Sequence, residues 1–142
     1  MSAEPDPPRF ALVRHDCPDD YRDGPHWDLM LERGGVDAEH RLATWSLLEL
    51  PDPWAGPGDA TSHAAAVTAI QLTDHRAAYL EYEGPVSGDR GSVRRVAGGV
   101  LEWIEETETR VVVRLGGPPP FEGEVELELL VGDRWGLRIS PG

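Results

Sequence analysis

Lysine is absent from this sequence. All 13 basic residues are arginines, set against 26 aspartates and glutamates for a formal net charge of −13. That balance excludes a broad polycationic surface for nucleic-acid backbones, whose non-specific affinity rests on many cations neutralising phosphates. Arginine can still clamp a phosphate bidentately, so a local anion site on an acidic body stays open. Cysteine is nearly absent as well. Cys17 stands alone, which rules out an internal disulfide framework and fits a reducing compartment. Its neighbours Asp16 and Asp19 disfavour a thiolate, so it makes a poor nucleophile. No apolar run approaches the length of a membrane-spanning helix. The opening MSAEPDPPRF lacks the basic-then-apolar layout of a secretory signal. A cytoplasmic protein without membrane contact is expected. Walker loops, GxSxG and CxxC patterns are missing, which removes the commonest nucleotide, serine-hydrolase and thiol-redox signatures.

What is present points to strands. The chain of 142 residues fits one domain with a core of its own. Its 39% apolar content and 5 Trp indicate a folded globule, and 13 Pro with 16 Gly imply many turns and little long helix. Residues 1–9 read as a loose, Pro-rich arm and residues 10–142 as the single domain. Runs at 10–15, 26–32, 41–50, 92–96, 100–105, 110–115, 122–131 and 135–139 read as strands. Residues 77–82 look extended. The stretch 62–73 is ambiguous, because its Ala-rich opening favours helix while Val67, Ile70 and Leu72 suit a strand. In 124–131, Val125, Leu127, Leu129 and Val131 alternate with glutamates, the pattern of a half-buried antiparallel strand. Strands at this spacing predict a mainly β fold, a small antiparallel β-barrel with minor helical elements.

The triplet His26-Trp27-Asp28 carries the most chemistry. Residues two apart on a strand share a face, so His26, Asp28 and Met30 point one way and Trp27, Leu29 and Leu31 point into a core. Imidazole and carboxylate side by side suit a Mn, Fe or Zn ion. His15 on the preceding strand is the natural third ligand. The plainer alternatives are a structural His, with Asp28 capping a turn or pairing with an arginine. Farther on, an extended 74–82 segment would set His75 and Tyr79 on one face, able to hold or protonate a phosphate oxygen. A surface His and a packing Tyr is the competing reading. The glycine-rich stretch 84–91 is either an anion cradle or a plain connection. His40 and His63 lie in loop-like contexts and carry no role.

Taken in order, these features resemble the phosphoesterase domain of bacterial DNA ligase D. The resemblance rests on Phe10 to His15-Asp16, on His26-Trp27-Asp28-Leu29-Met30-Leu31-Glu32, and on Thr44-Trp45-Ser46. It continues through Asp74-His75 to Tyr79, Tyr82-Glu83-Gly84 and Gly88 to Gly91, and reaches the final strands over 121–139. It implies a small β-barrel and a divalent-metal-dependent phosphoesterase that removes a 3′-ribonucleoside or 3′-phosphate from nucleic-acid ends, in the service of DNA repair. The implied metal ligands are His15, His26 and Asp28, with manganese the expected ion and zinc or cobalt as alternatives. His75 would be the phosphate-contacting catalytic group and Tyr79 its helper. Nucleic-acid 3′ ends are the implied partners, and a separately encoded ligase or polymerase is a further one.

The chain departs from the family pattern at its cations. Met30 stands where an arginine is usual, Leu48-Glu49-Leu50 where a lysine is frequent, and Val13 where a polar residue precedes the first His. Arg14, Arg76, Arg90, Arg94 and Arg95 are available to replace them. Arg14 and Arg90 are the expected phosphate-binding residues, with Arg90 in the glycine-rich loop the better placed. Two rival functions follow from the departures: a non-catalytic metal- or nucleic-acid-binding module on the same fold, and a hydrolase for a small acidic phosphoester.

Overall fold

The structure is a computed structural model that describes residues 7–16, 25–33, 41–51, 54, 66–76, 82–85 and 91–140. These residues form strands β1 (Arg9–Asp16), β2 (His26–Glu32), β3 (Arg41–Leu47), β4 (Ala66–Arg76), β5 (Gly84–Pro85), β6 (Ser92–Glu106), β7 (Arg110–Gly116), β8 (Glu122–Val131) and β9 (Arg134–Ser140). All pairings are antiparallel. The sheet order is β1-β2-β3-β4-β9-β8-β7-β6-β5, and β1 also pairs with β6. That last pairing closes the strands into a ring, so neither β1 nor β6 is left with an open edge.

Period-2 alternation decides what the ring encloses. Phe10 and Leu12 of β1, Leu29 and Leu31 of β2, Trp45 and Leu47 of β3, and Leu127 and Leu137 of β8 and β9 belong to one buried apolar cluster. Trp45 meets Trp135 edge-on, with ring centroids 5.6 Å apart. Many of the alternate residues on β7–β9, Arg110, Arg114, Glu126, Glu128 and Arg138 among them, carry charge on the other face, as in a half-solvated antiparallel sheet. Cross-strand arginine–glutamate pairs line that side: Arg114 with Glu102 at 2.8 Å, Arg138 with Glu126 at 2.8 Å, and Arg110 near Glu105, Glu126 and Glu128. The bond from Arg138 holds the Glu126 carboxyl below its ordinary range; burial opposes it, and the charges of Arg138 and then Arg110 add to the lowering.

Several expectations need correction. No helix occurs among the described residues, so the minor helical elements are not found there, and no described helix is long and apolar enough to cross a membrane. The ambiguous 62–73 region is strand from Ala66 onward. Val67 and Ala69 face the core cluster, and burial of that face overrides the helical preference of alanine. The stretches 92–96 and 100–105 are one strand of 15 residues. Ala97-Gly98-Gly99 reads as a break because glycine weakens a strand. At Gly99 the neighbouring backbone approaches so closely that a Cβ would come within 2.6 Å of the Gly116 carbonyl oxygen. Pro8 and Arg9, assigned to the arm, are tied to the sheet: Leu101 N–H donates to the Pro8 carbonyl at 2.8 Å, and β1 begins at Arg9.

Two measurements test this arrangement. Leu12→Ala should cost about 2–5 kcal/mol in chemical denaturation, because Leu12 is fully enclosed. Leu130→Ala, at 60% exposure, should change stability by less than about 0.5 kcal/mol. Equal effects would mean that the alternation has been assigned to the wrong faces. For Glu126, whose folded-state pKa is depressed, the stabilisation is present above the ordinary glutamate range and is lost as pH falls through the depressed value. Glu126→Gln should therefore flatten the acid limb of the stability–pH curve, and a curve identical to the parent's would remove Glu126 from it.

Candidate metal centre

The site is built by the β1–β2 pairing. His15 is the direct cross-strand partner of His26, and Val13 that of Asp28. Direct partners and residues two apart share a face. His15, His26 and Asp28 therefore project together from the side of the sheet opposite the core cluster. Ala11, Val13, Met30 and Leu42 form a second buried apolar cluster on this same side. The β1–β3 part of the sheet is thus buried on both faces.

The geometry is compact. The His15 and His26 rings lie 4.8 Å apart between centroids, at 65°. His26 Nε2 and Asp28 Oδ1 are 3.4 Å apart and make no hydrogen bond with each other. One ligand atom from each of the three residues lies within 4.8 Å of the others. Two donors bound about 2.1 Å from one ion are at most about 4.2 Å apart, so a small contraction, on the order of half an ångström, would let them share it.

Burial separates this cluster from ordinary surface residues. His15, His26 and Asp28 are 7%, 1% and 6% exposed. Among the described residues the other buried polar side chain is Thr44, whose hydroxyl donates to the Leu42 carbonyl at 2.8 Å. Asp28 Oδ1 is buried with no hydrogen-bond partner, and no described arginine pairs with Asp28. A buried carboxylate left in that condition is costly. The turn-cap and arginine-pair alternatives for Asp28 find no support among the described residues, whereas a nitrogen–nitrogen–oxygen donor set fits a divalent transition ion. The residues present fit the implied metal.

The other expected site residues are distributed differently. His75 is on β4, in register with Leu42, which belongs to the apolar cluster on the metal-site face. Tyr79 and Arg90 lie outside the described residues. Arg14 is the cross-strand partner of Trp27 and stacks on that ring at 4.4 Å, while its Nε donates to Asp16 at 2.9 Å. It faces away from His15 and is not brought together with the three ligands. Met30 is 2% exposed and continues the site face beside Asp28. Ser46, which the sequence offers only as part of Thr44-Trp45-Ser46, is the direct partner of Asp28 on β3. The signal was the spacing of Ser46 from the inward-facing Trp45, legible only once the β2–β3 register is known.

No protein-family model and no curated protein matches this chain.

If the three residues form one metal site, His26→Ala and Asp28→Ala should each abolish Mn2+ binding in calorimetric titration. At Mn2+ about 100 times its Kd the parent should gain about 2.7 kcal/mol of stability, and the variants none. Undiminished metal uptake by either variant would break the assignment.

Proposed function

We propose that this protein is a divalent-metal-dependent phosphoesterase acting on nucleic-acid 3′ ends, removing a terminal 3′-phosphate or 3′-ribonucleoside. The observation that carries this reading is the buried His15–His26–Asp28 group with the Asp28 oxygen lacking a hydrogen bond. The ring of antiparallel strands agrees with the small β-barrel of the DNA ligase D phosphoesterases, whose motif order runs through the sequence. Manganese is the ion of choice, with zinc or cobalt as alternatives, and when bound it supplies Lewis-acid polarisation of a phosphoester.

The remaining chemistry falls to the chain's own side chains. His15, His26 and Asp28 hold and orient the metal, and the apolar residues Val13 and Met30 beside them keep bulk water away from the site. His75 has the proton chemistry to stabilise charge on a phosphoryl oxygen or to protonate the leaving oxygen, with Tyr79 as its hydroxyl helper. In the cell, a separately encoded ligase or polymerase would receive the trimmed end.

Met30 favours a second reading. A buried methionine where the family carries an arginine removes a phosphate contact from the site face, and the net charge of −13 opposes long nucleic acids. A binding module, or a hydrolase for a small acidic phosphoester, would tolerate both.

The test is incubation with Mn2+ and primer-templates ending in a 3′-phosphate or a single ribonucleotide. Trimmed 3′-hydroxyl product is expected from the parent and not from His15→Ala. Metal-loaded protein that leaves both substrates intact would sink the enzymatic reading. Turnover of p-nitrophenyl phosphate alone would favour the small-substrate hydrolase.

A further inference from the structure

Between β1 and β6 the register shifts once. Leu12 pairs with Ala97, but Val13 pairs with Arg95, so Val96 is an extra residue on β6. Such a bulge reverses which face the following side chains occupy. Continued without it, the register would set Val96 opposite Val13 and Arg95 opposite Arg14, on the side of Trp27. With it, Arg95, Val13 and Asp28 form one cross-strand row on the metal-site face.

The surroundings of Arg95 fit an anion. Its side chain is exposed, and its guanidinium has no acidic partner among the described residues. The hydrogen bond at Arg95 is made by its backbone N–H to Glu83 Oε2, at 3.0 Å, which ties down the bulged backbone. The guanidinium lies against Gly98, where a Cβ would come within 2.1 Å of Nη2. Gly98 is the direct partner of Ala11, so the charge rests on the site face. Between Arg95 and Asp28 in this row stands Val13, 3% exposed, an apolar neighbour beside which an ionic contact is less screened than in water. Two strand spacings of about 4.8 Å separate the Cα positions of Arg95 and Asp28, and the guanidinium lies in the neighbouring Gly98–Ala11–Met30 row.

Arg94 and Arg134 also lack acidic partners among the described residues. Arg94 is paired with Arg14 on the opposite face, and Arg134 is on β9, three strands from β2. We infer that Arg95 is the phosphate-binding cation of this site, brought to the metal-site face by the Val96 bulge. The inference rests on the metal-dependent phosphoester reading and assigns its oxyanion contact.

The test uses the full chain loaded with Mn2+ and inorganic phosphate as the probe. Phosphate binding is followed by 31P relaxation from the bound ion, and Mn2+ affinity is measured separately by electron paramagnetic resonance. Arg95→Gln should weaken phosphate binding by about tenfold or more with Mn2+ affinity unchanged. Arg95→Lys should recover part of the loss, and Arg94→Gln should stay within about twofold of the parent. Phosphate binding unaltered in Arg95→Gln, or lowered equally in Arg94→Gln, overturns the role of Arg95 and leaves the metal reading standing. A parent chain that binds no Mn2+ overturns both.

Discussion

The β1–β2 register holds this structure and its candidate site together. A slip of one residue would turn Leu29 and Leu31 outward and drive His26 and Asp28 into the apolar ring. Losing burial of the two leucines alone would cost on the order of 3–6 kcal/mol, a large share of the roughly 5–15 kcal/mol that stabilises a typical domain. The core face therefore enforces the placement of His15 opposite His26. Packing on one side fixes chemistry on the other.

Two-sided burial of β1–β3 explains the character of the site. On β7–β9 the outer face is solvated and carries glutamates paired with Arg110, Arg114 and Arg138. On β1–β3 the corresponding face is closed over Ala11, Val13, Met30 and Leu42. Among the described residues the buried titratable groups are His15, His26 and Asp28, a set that could hold one ion together. The overall charge of −13 describes the protein at a distance and says little about this patch, because several of the carboxylates already have arginine partners on the other strands.

The sequence and structure agree most closely where alternation is clean. His26–Glu32 and Glu122–Val131 are strands with the bounds that their patterns suggest, since period 2 with one apolar face admits few other solutions. The agreement weakens where composition and packing conflict. Ala66–Arg76 is a strand despite its alanines, because burial against β3 and β9 outweighs a local preference. Ser92–Glu106 runs through two glycines because a crowded backbone contact at Gly99 needs the missing side chain.

The sequence alone determined that His26 and Asp28 share a face, since two-residue spacing on a strand leaves no choice. It named His15 as their partner without giving the register that joins them. Five arginines stood as candidates for a lost cation. Only the tertiary structure turned Arg14 toward Trp27 and Asp16, set Arg95 in the row of Asp28, and closed β6 onto β1. Spacing along one strand is local and can be read from the chain. Which strand lies beside which, and where one residue bulges out of register, depends on the burial of side chains remote in sequence.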